Sequence, residues 1–356
     1  MIRTTNAIRT RSFQLAAIAV RLCLMLDMTL IQADELRLFA RPVAVLVSDD
    51  GDSVFIANQD LPTITVINCN TLEARTISGH WLGIIDAALL PESKHLIALS
   101  ATPPSLLAIN TEQLFETVPL LKIVEPTTIA LTATPAKVAV SLDGKFACVS
   151  MTWDHSVLIV PFNDDHQPEG EKATPVSLSF PPKELLALPD QKFLVADAFG
   201  GQLAVIDGAT STIIAAHELP AYHIGGLARQ KSKEQILITH QRLSKIAETS
   251  RDDIHWGNLM QSGITSIPEA DFFNAPQPIS SNLQFRSLGD VGNGAADPAG
   301  IAAWNQGTRR GRVGWNESGG FLESANSDVA VCRCGIDAHA IGPLRNIADS
   351  LHQHPG

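Results

Sequence analysis

Three histidines, His223, His240 and His255, stand in the strings YHIGG, ITHQR and DIHWG, within a stretch that also carries Asp252 and Asp253. Imidazole and carboxylate groups mixed in this way suit either metal ligation or an acid–base pair. Their spacing matches no zinc pattern, and a hydrogen-bonded or solvent-facing structural role competes with both readings. A second set, Asn58, Asp60, Asp154, Asp197 and Asn293, offers the oxygen donors that a hard cation such as Ca2+ takes in a metal-assisted hydrolase. Trp256, Phe272, Phe273 and Phe285 supply aromatic surface for a protein partner, a small ligand or a glycan. Cys332 and Cys334 flank a single residue, with His339 and His352 further on, a spacing that few tetrahedral metal sites use. No Gly-x-Ser-x-Gly elbow, phosphate loop or dinucleotide fingerprint occurs in a strand–helix context.

The elements that must position these residues come from a repeat. Arg41–Glu73 reads RPVAVLVSDDGDSVFIANQDLPTITVINCNTLE. Ala136–Asp164 (AKVAVSLDGKFACVSMTWDHSVLIVPFND) and Pro182–Thr212 (PKELLALPDQKFLVADAFGGQLAVIDGATST) repeat its order of strand, turn, strand, gap and strand. Gly83–Glu112 is a looser copy. The turns fall at Asp50-Gly51, Pro91-Glu92, Asp143-Gly144 and Pro189-Asp190, roughly one unit per 42–50 residues, the period of a β-propeller blade. The expected fold is all-β: a propeller of four-stranded blades, about five recognisable and a sixth that begins near Asp297 and does not finish. The fifth unit starts at Ile224 and has Gln235–Thr239 as a strand. After it the pattern loosens into a long polar and aromatic loop, where a rigid scaffold would carry function.

The two ends of the chain read differently. Arg3, Arg9 and Arg11 precede the apolar stretch Phe13–Ile31, interrupted by Arg21 and Asp27, and residues 1–33 are expected to be a signal peptide cut after Ala33. Phe13–Val20 is too short to span a bilayer, so no stable transmembrane segment is expected after processing, and the location is periplasmic or secreted. The propeller is expected over residues 34–307. Beyond it the periodicity stops, and five arginines fall between Arg309 and Arg345. Back-translating Thr308–Asn316 and reading one base onward permits the string HVVVALGG, the strand that the sixth unit lacks. Residues 308–356 are therefore expected to be an irregular, out-of-frame tail. Across 356 residues the formal charge of −11, without a basic stripe, excludes a general nucleic-acid binder. The cysteines form no disulfide framework; Cys69 and Cys148 sit at strands as small hydrophobes, with a bridge between them the alternative.

The repeats resemble the YVTN/YncE-like family of bacterial exported propellers, through RPVAVLVSDDGDSVFIANQDLPTITVINCNT, LLALPDQKFLVADAFGGQLAVIDGAT and the weaker AVSLDGKFACVSMTWDHSVLIV. The segment 287–307, SLGDVGNGAADPAGIAAWNQG, is similar to a loop in propellers that precede cytochrome c peroxidase-like di-haem domains. The resemblance covers about residues 41–307 and is specific for fold rather than activity. It implies a scaffold for a protein or redox partner, with a c-type cytochrome as candidate. This chain has no Cys-x-x-Cys-His run, so no covalent haem is expected on it, nor any other cofactor except Ca2+ in the hydrolase reading. That alternative, a lactonase-like metal-dependent hydrolase with a site in the central channel, needs carboxylates converging on one point. Ligand or glycan binding needs an apolar pocket beside Trp256 or Phe285. The candidate functional surface is His223, His240, His255, Trp256, Phe285 and Asn293.

Overall fold

The computed structural model describes residues 41–114, 125–244, 247, 249–251, 259–273, 283–287, 300–303, 321–323 and 329–332. The chain folds into consecutive antiparallel sheets. Sheet one is β1 (Pro42–Val47), β2 (Ser53–Asn58), β3 (Thr63–Asn68) and β4 (Ala74–Ser78). Sheet two is β5 (Leu82–Leu89), β6 (His95–Thr102), β7 (Pro104–Asn110) and β8 (Thr127–Ala130). Sheet three is β9 (Lys137–Val140), β10 (Phe146–Met151), β11 (Ser156–Pro161) and β12 (Thr174–Ser177). Sheet four is β13 (Pro182–Leu188), β14 (Lys192–Asp197), β15 (Gln202–Asp207) and β16 (Thr212–Glu218). Sheet five is β17 (Tyr222–Gln230), β18 (Gln235–Leu243), β19 (Met260–Pro268) and β20 (Gln284–Ser287). Each of these five runs in chain order, first strand to fourth. A sixth, three-stranded sheet departs from that order: β21 (Gly300–Ala303) pairs with β23 (Val329–Cys332), which pairs with β22 (Phe321–Glu323).

Alternation along each strand sends successive side chains to opposite faces, and both faces find a neighbouring sheet. On β6, Leu96 and Ala98 join the core shared with sheet one, while Ile97 and Leu99 join the core shared with sheet three. Further cores fill the gaps between sheets three and four and between sheets four and five. The first strands pack successively, β1 on β5, β5 on β9, β9 on β13, β13 on β17 and β17 on β21. These are five tandem propeller-type blades.

The first-to-second strand turns share chemistry as well as position. Ser48 Oγ donates to Asp50 Oδ1 at 2.5 Å, and Ser141 Oγ donates to Asp143 Oδ1 at 2.7 Å. Gly144 follows with φ of +70°, a conformation that costs glycine little and other residues more. Asp143 also accepts a hydrogen bond from Gln191 Nε2 at 2.6 Å, tying the turn of sheet three to that of sheet four.

Two sequence expectations are revised. The second unit runs past the Gly83–Glu112 copy, because its outer strand is Thr127–Ala130, short, mostly exposed and without apolar alternation. The stretch after β18 is not wholly a loop: Met260–Pro268 is a nine-residue strand, and Gln284–Ser287 completes the sheet. Cys69 and Cys148 are free thiols at strands rather than a bridge, the first beside the outer face of sheet one and the second in the core between sheets three and four.

Candidate functional site

The second-to-third strand turns all emerge at one end of the sheets, and two of them hold an aromatic ring away from the core. In sheet three the turn is Thr152–Asp154, one turn of 3-10 helix closed by His155 in the left-handed region at φ of 49°. Thr152 Oγ1 donates to the Pro182 carbonyl of sheet four at 2.7 Å, which fixes the turn from below. Trp153 projects from it and is 77 % exposed. In sheet four, Asp197 Oδ1 accepts the Phe199 N–H at 3.0 Å, and the Phe199 carbonyl accepts the His223 N–H at 3.0 Å. Phe199 is held by both bonds and is 56 % exposed. The two rings lie 6.1 Å apart between centroids and are inclined at 44°.

The same end collects four of the eight other exposed large apolar side chains among the described residues. Leu82 and Tyr222 open β5 and β17, and Leu243 and Met260 face each other across β18 and β19. Leu72 and Leu142 are at the opposite end, and Ile213 and Ile214 are on an outer strand. Singly exposed apolar side chains need no explanation, whereas a group gathered at one end is a candidate interaction surface.

Beneath this surface sits a buried charge. Asp86, on β5, is fully buried; its Oδ2 accepts the Val138 N–H at 2.8 Å and its Oδ1 accepts from Lys137 Nζ at 3.2 Å. Lys183 pairs with Glu184 at 3.3 Å on the next inner strand. Among the described residues no group of three or more His, Cys, Asp or Glu side chains is placed to hold a metal ion. Asn58 is buried and donates to Thr63 Oγ1 at 3.0 Å, and Asp197 is spent on its own turn. Asp60 and Asp154 are exposed on separate turns.

Of the histidine and aromatic set named from sequence, the structure brings together His240 and Phe285. His240 is buried on β18, donating Nδ1–H to the Gln241 carbonyl at 3.1 Å and accepting the Thr265 hydroxyl at Nε2, 2.7 Å away. Its ring centre is 5.6 Å from that of Phe285, and the Arg242 guanidinium lies 4.2 Å from the centre of the same ring. Phe285 is thus a half-buried strand residue covered by its neighbours. His223 lies at the start of β17 with φ of 48°. His255, Trp256 and Asn293 lie outside the described residues. Phe272 is not exposed but fully buried, and Phe273 packs against the same core.

Burial pushes the His240 imidazole below its ordinary value of 6.5; the Gln241 carbonyl opposes this and the Arg242 charge adds to it. The unfolded chain therefore takes up this proton first as pH falls. The contribution of His240 to stability is intact above pH 6.5 and is lost as pH drops from there toward the folded-state value. Urea midpoints are expected to fall between pH 7.5 and about 5.5, with a shallower fall in His240→Gln. Identical pH slopes in the two proteins would contradict this.

No family model matches the chain. No curated protein matches it in sequence. Among solved structures, hydrazine synthase of Kuenenia stuttgartiensis is similar at a TM-score of 0.59 and 16 % identity, over 74 % of this chain and 71 % of that one. A structure of U3-55K is similar at a TM-score of 0.50 and 11 % identity, over 82 % and 80 % of the two chains. The RRP9 WD40 repeats match at a TM-score of 0.49 and 12 % identity, over 74 % and 69 %. The first two likenesses are of fold alone, and the five tandem four-stranded sheets are arranged as propeller blades are.

Proposed function

We propose that this chain is an exported propeller of the YVTN/YncE type that serves as a protein-interaction scaffold, docking its partner on the end that carries Trp153 and Phe199. The observation behind this reading is the gathering of exposed aromatic and aliphatic side chains on rigid turns at that end. Tryptophan and its aromatic neighbours are the side chains that most often dominate binding, because each buries a large area at a low cost in side-chain entropy. The partner we favour is a redox protein such as a c-type cytochrome, with the chain itself acting as scaffold rather than catalyst. The hydrolase reading lacks a convergent carboxylate set among the described residues.

Photo-cross-linking tests the docking end. With benzoylphenylalanine in place of Phe199, the exported protein is expected to give one discrete protein adduct. The same probe in place of Leu142, at the opposite end, is expected to give none. Trp153→Ala should weaken the captured complex by about 30-fold, the scale of a hot-spot truncation. Equal cross-linking from both ends, or none from Phe199, would remove the basis for the proposal.

A further inference from the structure

Two exposed carboxylates flank the aromatic pair, while the cations of this end sit elsewhere, with Arg251 on the β18–β19 connection. The two lysines on the inner strands beneath the pair are both engaged: Lys137 lies 3.2 Å from the buried Asp86 and Lys183 lies 3.3 Å from Glu184. Arg242 is stacked on Phe285. Asp154 adjoins Trp153 on the same turn, and Glu218 ends β16 beside the sheet-four turn that carries Phe199. Both carboxylates are exposed, and among the described residues no cation pairs with either. The formal charge of the whole chain, −11, has the same sign.

An apolar centre with unpaired carboxylates at its edge discriminates between partners. A cationic ring on the incoming protein gains attraction and faster encounter, whereas an acidic ring meets like charge. Building on the docking reading above, we propose that the partner is a basic protein whose contact patch is apolar and ringed by lysine or arginine. Trp153 and Phe199 enter the apolar patch, and Asp154 and Glu218 meet the cationic ring.

The test titrates the full chain with mitochondrial cytochrome c, a basic protein whose lysines ring an apolar haem edge. The control is the same cytochrome with its lysines succinylated, which reverses their charge and keeps the haem. Calorimetry at low and raised ionic strength is expected to show saturable binding of the native cytochrome and at least about tenfold weaker binding of the succinylated one. Affinity for the native form should fall steeply with salt. D154N/E218Q should bind about three- to tenfold more weakly, with a flatter salt dependence, because rim charges act mainly on association. W153A/F199A should lose about 30-fold or more with the salt dependence retained. Equal affinity for the two cytochromes, no binding of the native form, or an unaltered D154N/E218Q titration would each overturn the charge selection. An acidic protein captured by the Phe199 probe would also overturn it while leaving the docking end in place.

Discussion

Asp86→Ala is expected to destabilise the protein by about 3–5 kcal/mol, the scale seen when one partner of a buried ion pair is removed. The register of β5 against β6 shifts between Ile84 and Asp86, and this irregularity turns the carboxylate out of its own sheet toward sheet three. There it holds both the Val138 N–H and the Lys137 ammonium. Truncation leaves the Val138 N–H without that acceptor in a buried setting and takes the opposing carboxylate away from the Lys137 ammonium, whose side chain is only 23 % exposed. Asp86→Asn keeps an oxygen for Val138 and gives up only the charge, so about 1–2 kcal/mol is expected. Urea unfolding of the three proteins orders them. An alanine variant within about 1 kcal/mol of the parent would mean that the seam between sheets two and three is held by apolar packing alone.

Phe272→Ala should cost a similar amount, about 3–5 kcal/mol, for a different reason. This ring closes the core between sheets four and five with no exposed surface. It stands edge-on to His217 at 5.6 Å and 84°, and its carbonyl is 3.1 Å from His217 Nε2. The turn that delivers it, Glu269–Phe272, is pinned by Glu269 Oε2 accepting from Arg229 Nε at 2.6 Å. Alanine leaves a cavity that the flanking strands close only in part. Phe272→Leu, which fills most of it, should cost about 1–2 kcal/mol. Phe199→Ala provides the contrast: its ring has no core to vacate, and a change within about 0.5 kcal/mol is expected in the same melts. A Phe272→Ala protein as stable as Phe199→Ala would refute the burial argument.

The repeat made the five sheets legible because inner strands buried on both faces must keep short apolar runs between turns of fixed chemistry. It failed where burial did not dictate residue type. The outer strand Thr127–Ala130 is largely solvent-facing, so any polar residue suits it. Met260–Pro268 carries Gly263 near its centre, and a side chain there would meet the Phe285 ring at 2.3 Å. The glycine makes room for that aromatic neighbour rather than ending the strand. The exposed aromatic pair was overlooked for a related reason. Trp153 and Phe199 lie inside well-formed repeats and read as repeat filler, whereas the irregular segment drew notice with Trp256 and Phe285. A signal was present in the alignment itself. Both aromatics occupy turns just past the last inward-facing position of a strand, where no core slot exists to receive them.

Because, among the described residues, each sheet packs chiefly on its immediate neighbours, the free energy of the array divides into separate junctions. Asp86 belongs to the junction between sheets two and three and Phe272 to that between sheets four and five, with the whole junction between sheets three and four keeping their contacts distinct. The costs of their loss should sum without cross-talk in the double variant. A lesion in such an array stays where it is made. One junction can be rewritten, by drift or by design, while the turns that carry Trp153 and Phe199 keep their positions.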